Sequence, residues 1–376
     1  MLRRPRALRP RALGHHWWAV LLAVAALWAP LAPLARAAPL GDLVPGDTIA
    51  YFADPLLGAQ RVTARVQRGG PTLLFSDAPE QVPGPGILYQ DSVSGAFRVF
   101  FDHVNATPRR PLVFTVLLCN RGALPVMVSL GRIGVAGPSR DVLQNGQAAQ
   151  YAWMGPQAGG RLVVAPGRTV FLDPRLNRRQ APPGQNVTGI LDATASGPLQ
   201  VSVVAERRPV ASLRGLAVLP ATPSSTGFIA RGTFPHADLH LWAQGDGGLQ
   251  YVSIATPRSY LQGFSAVDGT PTEDYGNYGV FYDMHVAVLT GEAESLAAVF
   301  DPQGGSFAGA ALVGTGAAPP VVENLPAGGG FSPGPAAGIL VTRDGVLPGV
   351  TWRLHLAWMP PSGSNLPASL LLAPGA

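Results

Sequence analysis

The chain contains no lysine: all 27 of its basic residues are arginine. Schiff-base catalysis needs a lysine amine, and a phosphate-cradling P-loop ends on a lysine, so both chemistries are excluded. Lys–Asn isopeptide crosslinks, as used by some surface adhesins, are excluded with them. Cys119 is the single cysteine, so no intramolecular disulfide can form. It closes the apolar run Leu117-Leu118-Cys119, where a thiol is expected to be a small buried packing group. Long helical periodicity is missing after residue 37. The nucleophile elbow G-x-S-x-G is missing too: Ser139 follows Gly137-Pro138, and nothing marks His103 or His285 as its base. Both imidazoles follow aromatic strand starts and are expected to be structural. No catalytic set and no cofactor is expected.

What the chain does carry begins with its first 37 residues. Arg3, Arg4, Arg6, Arg9 and Arg11 precede an apolar run from Trp17 to Ala29, and Ala35-Arg36-Ala37 follows. This is the basic, apolar, small-residue order of a secretory signal peptide, with cleavage of A-x-A type at Ala35 and Ala37, before Ala38. The apolar run ends at Pro30, short of the roughly 20 residues a spanning helix needs. Removing the segment changes the charge. The whole chain holds 27 basic and 22 acidic residues. Six of the basic residues and none of the acidic ones precede Ala38, which leaves 21 against 22. The case for a nucleic-acid or anionic-membrane partner therefore leaves with the signal. With no lipid-attachment cysteine after the cleavage site and no second apolar span, the expected address is secreted or held at the cell surface.

Gly 46 and Pro 38 in 376 residues, with hydrophobics at 47 %, describe a folded chain of short strands and many turns. Val113, Thr115, Leu117 and Cys119 share one strand face and Leu112, Phe114, Val116 and Leu118 the other, as in a central strand buried on both sides. Asn120 to Ala123 reads as a turn and Pro125 to Leu130 as a return strand, giving a hairpin. Leu162 to Leu172 reads as strand, Pro166-Gly167 turn, strand, and Leu199 to Val204 as a further strand. A short helix is expected around Asp141 to Trp153. In the second half, Val280 to Val288 alternates as a strand, Gly291 to Glu294 turns, and Ser295 to Phe300 returns. Val321 to Pro335 reads as a long loop. Val346-Leu347-Pro348-Gly349-Val350-Thr351 matches Val164-Ala165-Pro166-Gly167-Arg168-Thr169 with Pro, Gly and Thr in register. The expected architecture is all-β: two related antiparallel β-sandwich domains of immunoglobulin-like type, residues 38–220 and 221–376, after a signal peptide at 1–37.

The turn Cys119-Asn120-Arg121-Gly122 before Pro125-Val126-Met127-Val128, with Pro166-Gly167-Arg168-Thr169 ahead of a strand, resembles bacterial immunoglobulin-like sandwich modules. Pro85-Gly86-Ile87-Leu88-Tyr89-Gln90-Asp91, Gly134-Val135-Ala136-Gly137-Pro138-Ser139, Gly276-Asn277-Tyr278-Gly279-Val280 and Pro360-Pro361-Ser362-Gly363-Ser364-Asn365-Leu366-Pro367 resemble segments of a group of secreted proteins from Gram-positive bacteria. Members of that group are often labelled as copper amine oxidase-like N-terminal domain proteins. That module's basic, proline-rich signature is missing from this chain, as are a copper ligand set and a quinone-forming tyrosine motif. The resemblance implies a surface or secreted protein and does not imply an oxidase.

Three groupings are candidates for binding. His236, Asp238 and His240 fall at i, i+2 and i+4, so a strand would point all three to one side, where two imidazoles and a carboxylate suit Zn²⁺. The plainer alternative is a polar edge strand. Asp268, Glu273 and Asp274 lie among glycines and offer oxygens to Ca²⁺, or simply form a solvated acidic loop. Trp153, Trp242, Trp352 and Trp358 could stack on sugar rings if exposed; Trp352 and Trp358 share a strand face, and core packing is the expectation for them. Asn105-Ala106-Thr107 and Asn186-Val187-Thr188 would accept glycans only in a eukaryotic secretory pathway. The expected function is a non-catalytic secreted or cell-envelope protein with a structural or interaction role and an envelope protein or glycan as partner. A carbohydrate- or cell-wall-binding module, and then a metal-dependent enzyme using His236, Asp238 and His240, are the alternatives.

Overall fold

Alternating and doubly apolar runs become strands, and the described residues are all-β apart from short helices. The computed structural model describes residues 43–374, apart from 51–55, 57, 158, 210, 225–230, 292–294, 317–318 and 329–336. The expected signal segment and the expected cleavage residues Ala35, Ala37 and Ala38 lie outside the described residues. Among the described residues no helix is long and apolar enough to cross a membrane.

Two six-stranded sheets face each other. One runs Thr48–Ala50, Ala337–Gly345, Ser295–Pro302, Ala368–Pro374, Gln250–Ile254, Gln60–Arg61. The other runs Val321–Gly328, Phe307–Thr315, Thr351–Trp358, Phe281–Leu289, Asp238–Gly245, Arg65–Gly69. Between them lies a core that includes Ile254, Phe300 and Leu370 from the first sheet and Leu241, Met284 and Leu356 from the second. A twelve-stranded sheet is built around the long strands Gly86–Asn105 and Asn186–Glu206. A register shift between Ala195 and Leu199 lets Asn186–Glu206 serve Val126–Ser139 with its first half and Leu112–Cys119 with its second. This sheet has a core of its own, with Phe97, Phe101, Phe114 and Leu191 fully enclosed.

The strand Leu112–Cys119 is buried at every position, as its two apolar faces require. The expected hairpin with Val126–Ser139 does not form. Leu112–Cys119 pairs instead with Thr169–Phe171, while Val126–Ser139 pairs with Gly160–Val164. The two turns lie together, and they satisfy each other. The Asn120 N–H donates to the Arg168 carbonyl (3.0 Å) and the Gly167 N–H to the Asn120 carbonyl (2.9 Å). The Asn120 amide also donates to Leu124 and Val164 (both 2.8 Å). Gly167, at φ 68° after Pro166, takes the left-handed position a Pro-Gly turn demands.

The second half repeats this device. The Gly349 N–H donates to the Thr290 carbonyl (2.6 Å) and the Thr290 N–H to the Val350 carbonyl (3.2 Å). Gly349 is again left-handed, at φ 74°. Phe281–Leu289 then pairs with Thr351–Trp358, and Ser295–Pro302 with Ala337–Gly345. The sequence match between the two Pro-Gly segments thus corresponds to one repeated connection.

The boundary expected near residue 220 does not sort the strands. Thr48–Ala50, Gln60–Arg61 and Arg65–Gly69 complete the two six-stranded sheets of the second half. Arg231–Phe234 joins Thr72–Ser76 in the twelve-stranded sheet. Leu40–Ala376 accordingly forms one unit. Nor are the sheets purely antiparallel. Asp238–Gly245 runs parallel to Phe281–Leu289, and Thr72–Ser76 parallel to Gly86–Asn105. A parallel pair needs a long crossover, and the first is made by Gln250–Ile254 and the Gln262–Ser265/Thr270–Glu273 hairpin, which lie in the other sheets. Val321–Gly328, expected within a loop, is an edge strand on Phe307–Thr315.

The expected helix is present as α1, Val142–Met154, started by the Asp141 carboxylate accepting from the Gln144 N–H (3.0 Å). It joins the two halves. The buried Gln150 amide donates to the Met359 carbonyl and accepts from the Ala310 N–H, both at 2.6 Å. Gln147 donates to Gly309 (2.9 Å) and Leu325 (3.1 Å).

Candidate functional site

The strands Asp238–Gly245, Phe281–Leu289 and Thr351–Trp358 present opposite faces to core and solvent, and Arg65–Gly69, exposed along most of its length, extends the sheet at its edge. Leu239, Leu241, Tyr282, Met284, Leu354 and Leu356 point inward. Because side chains alternate along a strand, the intervening residues share the outer face. Register then aligns them across strands. Arg65 stands opposite Trp242, Trp242 beside His285, and His285 opposite His355. In the next row, Gln67 stands opposite His240 and His240 beside Asp283.

The first row is a stack. The Arg65 guanidinium carbon lies 4.4 Å from the Trp242 ring centroid. Trp242 and His285 rings are 6.4 Å apart at 16°. His285 and His355 rings are 4.6 Å apart at 3°. The second row supplies one carboxylate to three imidazoles. His240 Nδ1 lies 2.9 Å from Asp283 Oδ2, His355 Nε2 2.6 Å from Asp283 Oδ1, and His285 Nε2 3.5 Å from Asp283 Oδ2. Partial burial pushes the Asp283 carboxyl up, but hydrogen bonds from His355 and His240 outweigh it and hold the group below its usual range. An ionised carboxylate only accepts, so His240 Nδ1 and His355 Nε2 carry the donated protons. Beside the stack is a concavity of about 340 Å³ lined by Trp242, Gln244, His285, Pro320, Arg353 and His355 among others.

The residues singled out by spacing do not meet. His236 precedes the strand, exposed, at φ 59°. Asp238 opens the strand and is drawn to the buried Arg98 guanidinium at 3.1 Å. Only His240 reaches the cluster. The ligand partners of a strand residue stand on neighbouring strands, which i, i+2, i+4 spacing does not address. Spacing along the chain does not single out Asp283, His285 and His355, and His285, expected to be structural, stands at the centre of the cluster. Their available signal is an i, i+2 polar pair inside an alternating strand: Asp283/His285, Arg353/His355 and also His240/Trp242.

The acidic grouping disperses likewise. Asp268 is held by Arg231 and by the Ser265 hydroxyl at 2.5 Å. Glu273 accepts from Gln262 at 2.5 Å. Asp274 is fully buried, and desolvation raises its pKa well above the usual carboxylate value, which unsuits it to Ca²⁺. Trp352, Trp358 and Trp153 pack in the core at 7 %, 0 % and 1 % exposure. Trp242 alone of the four borders the concavity, and its ring faces already look onto Arg65 and His285. His103 is buried between the Ser76 hydroxyl and the Pro79 carbonyl, both at 3.0 Å, and Cys119 is buried. Ser139 caps the approach to α1 by accepting from the Asp141 N–H (3.1 Å).

No family model matches the chain, and no curated protein matches it. Among solved structures it is similar to vicilin from Solanum lycopersicum (tomato), at TM-score 0.14 and 10 % identity over 80 % of this chain and 85 % of that one. Vicilin from Capsicum annuum gives TM-score 0.11 and 9 % identity over 89 % and 83 %. An oxalate decarboxylase gives TM-score 0.11 and 10 % identity over 82 % and 78 %. Scores this low assign neither a fold family nor an activity.

Proposed function

We propose that the chain is an exported, non-catalytic protein of the cell envelope with an interaction role, and that it binds through the outer face of the sheet carrying Trp242, His285 and His355. One observation carries this reading. That face gathers Trp242, His285, Arg353 and His355 around a concavity, with Arg65 against Trp242 and Asp283 against His285 and His355, although the sheet derives its stability from the opposite face. Rigid strands hold these groups, as a preformed binding surface requires. Among the described lining residues there are imidazoles and a guanidinium but no hydroxyl or thiol nucleophile. The basic, apolar and small-residue order of residues 1–37 supports export. The expected partner is an envelope protein or glycan with anionic or hydrogen-bonding groups for Arg353 and Gln244.

The test has two parts. Fractionation with N-terminal sequencing is expected to find the protein outside the cytoplasm, beginning at Ala38. Purified protein is expected to be retained on isolated cell envelopes, and Arg353→Glu with Trp242→Ala is expected to reduce retention at least tenfold. A cytoplasmic chain still beginning at Met1 overturns export. Undiminished retention of the double variant overturns the assignment of the face.

A further inference from the structure

We infer that Asp283, His285 and His355 form a binding site for a divalent transition metal, with His240 positioning the carboxylate. One nitrogen or oxygen from each of Asp283, His285 and His355 lies within 4.8 Å of the other two. Ligands held at about 2.0–2.2 Å in a tetrahedron stand roughly 3.3–3.5 Å apart. His285 Nε2 is 3.5 Å from Asp283 Oδ2 and His355 Nε2 is 2.6 Å from Asp283 Oδ1, so small side-chain rotations, with the His355 hydrogen passing from Nε2 to Nδ1 through solvent, bring the set onto one ion. The parallel imidazole rings direct both Nε2 atoms toward the same carboxylate.

The frame is rigid where it must be. His285 and His355 stand directly opposite on adjacent antiparallel strands, and Asp283 is two residues before His285 on the same face. The reverse sides of these strands are anchored in the core by Tyr282, Met284, Leu354 and Leu356. The ligands themselves stay accessible, with side chains 20 % exposed for Asp283, 46 % for His285 and 34 % for His355. An ion can therefore enter from solvent and keep an open coordination position toward the concavity.

Two imidazoles and one carboxylate suit Zn²⁺, Ni²⁺ or Cu²⁺ and do not suit Ca²⁺ or Mg²⁺, which require several oxygens. His240 donates through Nδ1 to Asp283 Oδ2 at 2.9 Å. It fixes the carboxylate from the neighbouring strand, as partners of metal ligands commonly do. Of the chain's five imidazoles after residue 37, three converge on Asp283. The inference stands on these side chains whether or not the face also binds an envelope partner.

The test uses the full chain without a histidine tag, stripped with chelator and titrated with Zn²⁺ against a chromophoric competitor. One Zn²⁺ per chain is expected. His285→Ala and His355→Ala are each expected to weaken binding at least 100-fold with unchanged near-ultraviolet circular dichroism. His285→Gln and His355→Gln replace either variant that fails to fold. His240→Ala is expected to weaken binding about 10–100-fold, and His240→Asn, whose amide can still donate to Asp283, to recover most of it. His236→Ala is expected to change nothing. Co²⁺ substitution is expected to give intense visible bands of four- or five-coordination, altered in His240→Ala. Zinc binding no tighter in the wild type than in the His285→Ala/His355→Ala double variant overturns the site. Equal loss in His240→Ala and His240→Asn overturns the positioning role.

Discussion

Gly146 sits in the second turn of α1, where glycine is a poor choice by local propensity: alanine in a helix interior is favoured by about 1 kcal/mol. Gly146→Ala should therefore stabilise the protein if the helix were free. The structure predicts the opposite. A Cβ at Gly146 would overlap the Ser362 carbonyl oxygen and lie 2.8 Å from its carbon and 3.0 Å from its nitrogen. These are backbone atoms of a segment tied down elsewhere: the Ser362 hydroxyl donates to Asp102, and the Ser364 hydroxyl accepts from the Ala308 N–H at 3.1 Å. No rotamer change relieves the overlap, so α1 must move outward. Overpacking of this kind costs about 1–3 kcal/mol or more. Displacement also strains the Gln150 hydrogen bonds to Met359 and Ala310. Set against the propensity gain, overpacking leaves a net loss of up to about 2 kcal/mol, to which the strained Gln150 bonds add. Equilibrium denaturation monitored by tryptophan fluorescence reads it, because Trp153 packs at the end of α1. Gln144→Ala, exposed on the same helix, is the control and should be neutral or slightly stabilising. A Gly146→Ala protein as stable as the wild type, or more so, would refute the claim that α1 is clamped against Ser362.

Gln150→Ala leaves the Met359 carbonyl and the Ala310 N–H buried without partners, so a loss of about 2–5 kcal/mol is expected in the same denaturation assay. Arg98 is buried between Asp192 (2.7 Å), Asp238 (3.1 Å) and the Gly279 carbonyl (2.9 Å); Arg98→Ala strands those charges and should cost about 3–5 kcal/mol by chemical denaturation. Trp358→Ala should cost about 3–5 kcal/mol, as for large core truncations, whereas Trp242→Ala on the outer face should leave the denaturation midpoint nearly unchanged. Burial lowers the His103 pKa to about 3, so this group contributes stability that is present above its unfolded pKa near 6.5 and lost as pH falls toward 3. Stability measured at several pH values should show the advantage of wild type over His103→Gln shrinking by up to about 3 kcal/mol between pH 7 and 4. Asp102, raised to about 6 by burial, tilts the other way, losing stability as pH rises from about 4 through 6, and it cancels in that difference; a constant gap would refute the neutral, buried assignment of His103.

Much of the local structure was legible in the residues. The doubly apolar run Leu112–Cys119 became a fully buried strand, the alternation of Phe281–Leu289 sorted Tyr282 and Met284 inward, and Asp141 marked the start of α1. The Pro-Gly match between Pro166-Gly167 and Pro348-Gly349 identified a repeated connection. The hairpin reading of Asn120 failed because the turn residues bond a second turn, 44 residues away in the case of the Asn120 amide and Val164, and no local pattern encodes that partner. The candidate site shows the same limit. His240, on the list by spacing, did reach the cluster, but Asp283, His285 and His355 acquired their relation from strand neighbours.

By itself the sequence determined the near-balance of charge after residue 37, the exclusion of lysine and intramolecular disulfide chemistry, the all-β class and, for Leu112–Cys119 and Phe281–Leu289, the sides that face the core. Tertiary structure decided which strands are neighbours, hence that strands before residue 70 complete sheets of the second half and that three imidazoles share one carboxylate. The reason is physical. Side-chain alternation is fixed by the backbone within each strand, whereas strand order follows from burying every apolar face at once, and that is a property of the whole chain.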